Sequence, residues 1–314
     1  MSSSWATQQF WFEEWHPECK TLAMIQESNQ SGSLSPASFQ GRVIVIGASA
    51  GGTEAVEQLV AGLAPDIRAA VLIVRHLPAE TPASFLVRRL RSRTTIPCLE
   101  AKEGAELLSA HVVIAPSDNH LLVDGSRTRV VHGPRENRWR PSVDTLFRSA
   151  AVSHGSRVIG VILSGMLDDG TAGMSAIKSC GGICVVQDPE EAAYPDMPRN
   201  VLNNVTVDHC APVAEIASLL GRLVDERVPA AEPLPPDILV EDRIARSAVS
   251  DMDAVEELGE RSVLTCPDCG GVLWRLSNDG FPRFRCHTGH VYSPEQLEAA
   301  ADVNFPLADR AEQL

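Results

Sequence analysis

Residues 42–62 read RVIVIGASAGGTEAVEQLVAG, and this stretch decides the fold class. Its first six residues form a short apolar run that is rich in β-branched side chains and ends in glycine, which is typical of a buried strand. The residues that follow place apolar side chains at helical spacing from Ala55 to Leu63, and Pro65 ends that pattern. A buried strand that turns directly into an amphipathic helix predicts an α/β fold.

The same alternation of apolar runs and amphipathic helices continues to about residue 225. Further strands are predicted in AAVLIVRH (69–76), HVVIAP (111–116), RVIGVILSG (157–165) and ICVVQD (183–188), with a hairpin formed by HLLVDG and TRVVHG (120–133). Helices are predicted between them, in 82–93, 142–155, 171–181 and 213–224. We therefore expect an α/β domain with a doubly wound, mostly parallel sheet and helices on both faces.

The composition excludes several classes of protein. The 314-residue chain is 44% hydrophobic and carries a formal net charge of -14. It can therefore bury a core, and binding to nucleic acid or to an anionic membrane is disfavoured because both need a positive field. No apolar run reaches the roughly 18 residues of a membrane span, and the N-terminus lacks the pattern of a secretory signal. We expect a cytoplasmic protein with reduced cysteines, no nucleic-acid partner and no membrane insertion.

Shifts in composition predict five segments. They are a flexible N-terminal segment (1–40), the α/β domain (41–226), a proline-rich linker with a charged helix (227–261), a Cys/His module (262–301) and a tail (302–314). The first segment contains the aromatic residues Trp5, Phe10, Trp11 and Trp15. They either pack onto the α/β domain or form a docking peptide for a partner, and packing is the preferred interpretation.

Polar side chains follow three of the predicted strands, at the place where ligands of parallel α/β sheets bind. Ser49 follows RVIVIG, His76 follows AAVLIVR, and Asp168 and Asp169 follow RVIGVILSG. A serine needs an imidazole to take its proton, and the imidazole needs a carboxylate to fix its tautomer. The set predicts a catalytic triad, although its chain order differs from the Ser, Asp, His order of an α/β-hydrolase.

The glycine-rich turn GASAGG (47–52) has a second interpretation, as a cradle for a phosphate group. Against it, the turn lacks the lysine of a P-loop, and His76 stands at the end of the second strand, where a ribose-binding acid is expected. The nucleophile interpretation is preferred.

Four segments together resemble the chemotaxis protein-glutamate methylesterases, the CheB family. They are VIVIGASAGGTEAV (43–56), RHLP (75–78), PRENRWRPSVDTLFRSAA (134–151) and GVILSGMLDDGTAGM (160–174). The Met-Pro-Arg of PDMPRNVL (195–202) also matches. These motifs occur in the family's order and spacing, and the resemblance covers residues 42 to about 225.

The resemblance implies roles for individual residues. Ser49 would be the nucleophile, His76 the base, and Asp169, which directly precedes Gly170, the orienting carboxylate. The backbone amides of Ala50 and Met166 would form the oxyanion hole. Two arginines would bind an acidic receptor surface: Arg138 and Arg140. The implied reaction is hydrolysis of glutamate γ-methyl esters on a methylated chemoreceptor or related signalling protein, with deamidation of glutamines as a related activity and no catalytic cofactor.

The sequence departs from the family pattern at three points. Ala50 replaces a threonine, which changes little because its backbone N–H is the contributing group. Leu167 replaces a glycine and is expected to reshape the site. About 40 residues precede the catalytic stretch and contain no receiver pattern, so we expect constitutive activity or control by a separate receiver protein; a cognate methyltransferase is another expected partner. The alternative is a non-catalytic scaffold that docks partners through the C-terminal module.

The C-terminal module has the spacing of a metal site. Cys266, Cys269, Cys286 and His290 follow the pattern C-x2-C-x16-C-x3-H, which supplies four ligands for tetrahedral zinc, with His287 as the alternative fourth ligand. All four positions are filled by protein, so the zinc is expected to be structural. The module resembles the zinc-ribbon tail of some receiver-less relatives of the methylesterases, and it acts either as a docking module or as a stable end cap.

Overall fold

The computed structural model describes residues 39–230, 233–247, 252–276 and 280–304. The N-terminal aromatic residues and the predicted tail beyond residue 304 lie outside this described part. The described residues from Phe39 onward belong to one compact unit. The five-segment division of the chain stays a prediction.

The α/β domain contains nine strands in the described residues. They are β1 (Arg42–Ala48), β2 (Ala69–Arg75), β3 (Cys98–Glu100), β4 (His111–Ile114), β5 (His120–Asp124), β6 (Arg127–Val131), β7 (Val158–Ile162), β8 (Ile183–Gln187) and β9 (His209–Ala211). Seven of them form a parallel sheet in the order β3-β4-β2-β1-β7-β8-β9. The separate antiparallel hairpin β5-β6 is the one predicted around Asp124 and Gly125. The two edge strands β3 and β9 were not predicted, because three-residue strands carry too little pattern.

Helices cover both faces of the sheet, as predicted. They are α1 (Gly52–Gly62), α2 (Ser84–Arg91), α3 (Val143–His154), α4 (Thr171–Ser179), α5 (Asp196–Asn204) and α6 (Val213–Asp225). A 3-10 turn, Gly155–Arg157, joins α3 to β7. Alternation along β1 explains the two layers. Ile44 and Ile46 belong to the buried cluster that contains residues of α1, α2 and α6, whereas Val43 and Val45 belong to the cluster that contains residues of α3, α4 and α5.

The order in which strands are added to the sheet reverses at β1. The chain continues from β1 to β2 on one side, and it returns later to place β7 on the other side. Ligands of open α/β sheets bind at such a switch point, beyond the carboxyl ends of the strands. The three strands β2, β1 and β7 are those that precede the predicted triad residues.

The charged stretch after the linker differs from the prediction of one helix. It forms α7 (Pro236–Ser247) and α8 (Met252–Glu256), and a strand begins at Gly259. Four antiparallel strands follow, in the order β10 (Gly259–Thr265), β11 (Val272–Leu276), β12 (Phe284–Cys286) and β13 (Val291–Tyr292), and then α9 (Pro294–Asn304). The C-terminal module is therefore a small antiparallel sheet followed by a helix, in keeping with the zinc-ribbon expectation.

A buried ion-pair cluster joins this module to the α/β domain. It consists of Glu136, Arg148, Glu241, Arg283 and Arg285. Burial alone would raise the pKa of both carboxyls, but the arginines hold the pKa of Glu136 and of Glu241 below their ordinary values. The cluster contains residues of α3, α7 and β12, so these elements form one packed body.

None of the helices in the described part of the chain is long and apolar enough to cross a lipid bilayer.

Candidate active site

Ser49 lies in the turn between β1 and α1, with 8% of its surface exposed. The turn is tight because Gly51 has a φ of 67°, a left-handed conformation that glycine adopts without steric cost. Ser164, which lies beyond β7, holds the turn by two hydrogen bonds. Its carbonyl accepts from the Ser49 amide (2.9 Å), and its hydroxyl donates to the Ala50 carbonyl (2.8 Å).

His76 follows β2 directly and contacts both other predicted triad residues. Its Nδ1 lies 3.1 Å from the Ser49 hydroxyl oxygen, and its Nε2 lies 2.7 Å from Oδ2 of Asp169. A carboxylate accepts hydrogen bonds, so the neutral ring carries its proton on Nε2 and presents the lone pair of Nδ1 to Ser49. The structure therefore brings Ser49, His76 and Asp169 into one hydrogen-bonded series.

The Asp169 side chain lies against the N-terminus of α3 and accepts hydrogen bonds from several sides. Its Oδ1 accepts from the Ser142 hydroxyl (2.9 Å), the Asn137 side-chain amide (2.7 Å) and the Asp144 backbone amide (3.1 Å). Its Oδ2 accepts from the Val143 backbone amide (2.8 Å) as well as from His76. These bonds fix the carboxylate in position and thereby fix the imidazole.

A second buried carboxyl group belongs to Asp144 in the first turn of α3. It accepts hydrogen bonds from backbone amides at the start of α4, just as Asp169, which precedes α4, accepts them at the start of α3. Its Oδ1 accepts from the backbone amides of Gly170 (2.9 Å) and Gly173 (2.6 Å), and its Oδ2 accepts from the Asn137 side chain (2.6 Å). Burial and the neighbouring Asp169 raise the pKa of Asp144 well above its ordinary value. Burial opposes ionisation of Asp169 too, but the hydrogen bonds from His76, Val143 and Asn137 hold its pKa below the ordinary value. The pair is thus arranged so that Asp169 is the ionised member.

The indole ring of Trp139 lies flat on the imidazole of His76. The ring centroids are 4.3 Å apart and the planes differ by 12°. This stacking fixes the plane of the imidazole between its two partners.

The two amides predicted to form the oxyanion hole belong to peptide groups with fixed planes. The Ser49 carbonyl accepts from the Gly52 amide (3.0 Å), and the Gly165 carbonyl accepts from the Met197 amide (3.0 Å). In a trans peptide the N–H points away from its carbonyl, so the N–H directions of Ala50 and Met166 are set. Within the described residues neither N–H donates to the protein, which leaves both for a ligand.

The two predicted substrate-binding arginines differ in their surroundings. Arg138 is exposed. Arg140 binds Asp118 through Nε (3.0 Å) and NH2 (2.8 Å) and the Gly133 carbonyl through NH1 (2.7 Å). Arg140 therefore stabilises the loop that it belongs to, and the exposed Arg138 is the better candidate for contact with a substrate. Two large side chains at the rim are also exposed, Met166 (51%) and Tyr194 (44%).

The four predicted metal ligands of the C-terminal module lie together. The ligand atoms of Cys266, Cys269, Cys286 and His290 are all within 4.8 Å of one another. The sulfur atoms of Cys269 and Cys286 are 3.7 Å apart, and Nδ1 of His290 lies 3.4 Å from the Cys286 sulfur. Tetrahedral zinc with bonds of about 2.3 Å to sulfur needs ligands about 3.8 Å apart, so three thiols and one imidazole fit this ion. Of the two candidate histidines, His290 joins the cluster, and His287 lies against Gly271 instead.

Comparison with known proteins decides the family. Residues 44–220 match the family described as CheB methylesterase, which is more than half of the chain. The chain belongs to the CheB methylesterase family. The fold agrees: the crystal structure of the Thermotoga maritima CheB methylesterase catalytic domain is similar with a TM-score of 0.55 and 31% identity, covering 59% of this chain and 99% of that one.

Curated relatives of this CheB methylesterase chain include archaeal and bacterial proteins. One from Methanosarcina barkeri, named protein-glutamate methylesterase/protein-glutamine glutaminase, is 36% identical over 195 residues, which cover 60% of this chain and 53% of that protein. One from Chromobacterium violaceum, with the same name and the number 1, is 40% identical over 184 residues, covering 57% and 51%. The chain spans about half the length of the curated relatives it matches.

Leu167 is the departure from the CheB pattern that the structure explains in part. Its φ is 63°, in the left-handed region where glycine is favoured and a leucine is strained. The Asn200 side chain donates to the Leu167 carbonyl (2.8 Å) and stabilises this conformation. The backbone path that glycine would adopt freely is thus kept, and the leucine side chain is half-buried beside the exposed Met166.

Several residues of this CheB site were not singled out in the sequence. Asn137, Trp139, Ser142 and Asp144 all lie in the segment 134–151, whose predicted functional residues were the arginines Arg138 and Arg140. Their roles depend on contacts with His76 and Asp169, which no spacing within the segment reveals. Asp144 nevertheless carried a signal, because it is an acidic residue in the first turn of the predicted helix 142–155.

Gly165→Ala is expected to displace Ser49, the predicted nucleophile. A β-carbon at position 165 would lie 2.0 Å from the Met197 sulfur and 2.8 Å from Cβ of Ser49. The methionine can move, but Ser49 belongs to a tight turn, so we expect a loss of activity together with about 1–3 kcal/mol of stability. Activity and chemical unfolding measure the two effects. Gly221→Ala in α6 is the matched control, because its β-carbon would meet open space, and a parent-like Gly165→Ala enzyme would contradict the expectation.

Proposed function

We propose that this chain is a protein-glutamate methylesterase that hydrolyses glutamate γ-methyl esters through Ser49, His76 and Asp169. The observation that carries the proposal is the series of hydrogen bonds of 3.1 Å and 2.7 Å from Ser49 through His76 to Asp169. The series lies at the carboxyl ends of three adjacent strands in a member of the CheB methylesterase family.

In the first step the Ser49 oxygen attacks the ester carbonyl while Nδ1 of His76 takes the hydroxyl proton. The ring is then an imidazolium, which the ionised Asp169 stabilises. When the tetrahedral intermediate collapses, the C–O bond to the methoxy group breaks. His76 returns the proton to that oxygen, and methanol leaves a γ-glutamyl ester on Ser49.

In the second step water attacks this ester with His76 again acting as the base. The bond to the Ser49 oxygen breaks, Ser49 regains its proton from His76, and a glutamate carboxylate is released. The same acyl intermediate forms from a glutamine side chain with loss of ammonia, so deamidation is a chemically equivalent second activity. The names of the curated relatives include both activities.

The amides of Ala50 and Met166 are proposed to donate to the oxyanion. Their peptide planes are set before substrate arrives, because the carbonyls of Ser49 and Gly165 are both hydrogen-bonded. Donors that need no reorganisation stabilise developing charge effectively.

The proposed substrate is a methylated chemoreceptor or a related signalling protein. The exposed Arg138 is suited to an acidic surface beside the modified glutamate. A cognate methyltransferase, a separate receiver protein and a cytoplasmic location stay predictions from the sequence. The alternative of a non-catalytic scaffold is less favoured, since the carboxylate, imidazole and hydroxyl have the geometry of a working triad.

Methanol release from a methylated receptor fragment tests the proposal. The full chain is expected to release methanol in proportion to the glutamate formed, and a glutamine-containing fragment is expected to release ammonia. Absence of methanol from folded protein and a substrate of verified methylation would favour the scaffold instead.

We further propose that Cys266, Cys269, Cys286 and His290 hold one structural zinc ion. The Asp268 carboxylate, 3.7 Å from Nε2 of His290, is placed to orient that ring. Protein purified without added zinc is expected to contain about one equivalent. Cys266→Ser is expected to lower both the zinc content and the unfolding temperature, whereas Cys210→Ser, at an exposed cysteine away from the cluster, retains both. Metal-free wild-type protein of unchanged stability would contradict this assignment.

A further inference from the structure

The loop of residues 135–140, here called the stacking loop, has an unfavourable backbone conformation. Two consecutive residues other than glycine, Asn137 and Arg138, have left-handed φ angles of 55° and 67°. Such conformations are retained where surrounding contacts hold them in place. The same loop supplies Trp139, which stacks on His76, and the Asn137 amide that binds Asp169.

Contacts from the C-terminal module hold this loop. The Val291 carbonyl accepts a hydrogen bond from the Asn137 backbone amide (2.8 Å), and the Val291 amide donates to the Arg135 carbonyl (3.4 Å). Arg285, 1% exposed, binds the Glu136 carboxylate (3.2 Å). Main-chain and side-chain bonds therefore both reach the loop from β12 and β13.

A second contact joins the module to the loop of residues 164–170, which carries Met166 and Asp169. Nε2 of Gln296 in α9 donates to Oδ1 of Asp168 (2.5 Å). The oxygen of the same side-chain amide is also engaged, because Oε1 of Gln296 accepts from the Ser293 backbone amide (3.3 Å). In return, the Ser293 Oγ accepts from the Gln296 backbone amide (3.2 Å). This reciprocal pair is a capping box that orients the first turn of α9. Gln296 is fully buried.

The two contacts act on the two loops that position the reacting groups. One loop sets the plane of His76 and part of the hydrogen bonding of Asp169. The other provides Asp169 itself and the amide of Met166. Both loops contact a single segment, residues 285–296, so a shift of that segment would move the imidazole and the carboxylate relative to each other.

We propose that the C-terminal Cys/His module is a positioning element of the active site, which holds both loops through Val291, Arg285 and Gln296. The activity measurements that test this inference rest on the proposed function. The hydrogen-exchange measurement does not depend on that function. Gln296 and Val291 act as positioning residues, since neither contacts Ser49 or His76.

Variants that swap the carboxylate of position 168 and the amide of position 296 test the second contact. Gln296→Glu keeps the capping box, because glutamate also accepts from the Ser293 amide, but it places a carboxylate against Asp168. We expect kcat to fall about tenfold with little change in KM. The double variant Gln296→Glu with Asp168→Asn restores the donor and acceptor in reversed order, and it is expected to recover most of kcat.

Glu298→Gln is the matched control, a charge change at an exposed position of the same helix. It is expected to retain the parent kcat. A parent-like kcat in Gln296→Glu would overturn the proposal, and so would a double variant as slow as the single one. Melting temperatures of all four proteins show whether the loss follows stability, and a loss of kcat that is rescued at unchanged KM is not expected of a purely structural contact.

Hydrogen exchange tests the first contact without any substrate. Since Val291 directly follows His290, removal of a metal by a chelator is expected to loosen β13. Amides in residues 135–141, that of Asn137 included, should then exchange more than about tenfold faster, and labelling of Ser49 by a fluorophosphonate should slow. Unchanged exchange in this segment after chelation, or after Cys266→Ser, would overturn the inference. If the parent chain released no methanol, the proposed function would fail, whereas the exchange rates would still decide the role of the module.

Discussion

Ser49→Ala is expected to abolish methanol release while the chain stays folded. The variant removes the atom proposed to attack the ester, and loss of such a nucleophile lowers the rate at least about a thousandfold. The side chain makes one described contact, the 3.1 Å bond to His76, so the cost in stability is about 1 kcal/mol. Methanol release and chemical unfolding measure the two quantities.

Ser218→Ala in α6 serves as the control for Ser49→Ala. It removes a hydroxyl of the same size whose bond is local, to the Glu215 carbonyl, and it should retain full activity. Release of methanol by Ser49→Ala at the parent rate would refute the assignment of the nucleophile. Failure of a fluorophosphonate to label the parent chain at position 49 would refute it independently of the substrate.

Asp169→Asn is expected to lower kcat about 10⁴-fold. The variant replaces one carboxylate oxygen with an NH2 group. That group faces either His76 and Val143 or the donors on the other side, such as Asn137, and all of these already donate. The imidazole then loses the partner that fixes its proton on Nε2 and stabilises its charged form. Because donors remain buried without an acceptor, we also expect a loss of about 3 kcal/mol in stability.

Asp208→Asn is the matched control for Asp169→Asn. Its carboxylate also accepts a backbone amide, that of Cys184 (2.8 Å), but it lies at the amino ends of β8 and β9, the opposite edge of the sheet. This control should retain kcat. An Asp169→Asn enzyme with more than about a tenth of the parent kcat would contradict the orienting role, since the carboxylate would then be dispensable.

The stability difference between the parent and Asp169→Asn should depend on pH. The pKa of Asp169 is lower in the folded protein than its ordinary value. Its contribution is therefore fully present above the unfolded pKa of about 4 and is lost as the pH falls through the folded value. Unfolding free energies measured from pH 7 downwards should converge for the two proteins, and a difference that grows on acidification would contradict the pKa direction.

The long strands and helices could be predicted because their patterns are local. The runs VIVIG (43–47), AAVLIV (69–74) and VIGVIL (158–163) are apolar throughout, as strands buried on both faces must be. Each is followed by a helix with one apolar side. The short edge strands β3 and β9 and the strand β10 escaped prediction. Three residues carry no period, and β10 is mostly exposed, so it lacks the apolar run of a buried strand.

The candidate site could be predicted in part for the same reason. Ser49 and His76 lie directly at strand ends, so their neighbourhood follows from the topology of a parallel sheet. Asp168 and Asp169 were indistinguishable from the residues alone, and the family resemblance selected Asp169. In the structure Asp169 turns towards His76 and α3, whereas Asp168 turns towards Gln296 of the C-terminal module.

The sequence alone determined the α/β class, the polar residues at three strand ends and three of the four metal-ligand positions, because each depends on spacing along the chain. The tertiary structure favoured His290 over His287 as the fourth ligand. Tertiary structure alone decided that Trp139 stacks on His76, that Asn137 joins two carboxyls, and that Arg140 is engaged with Asp118. It also decided that the C-terminal module contacts both active-site loops, through residues more than 120 positions away from them. Contacts of this kind depend on how packed elements meet in space, and hydrophobic periodicity describes the face that an element buries without specifying its partner.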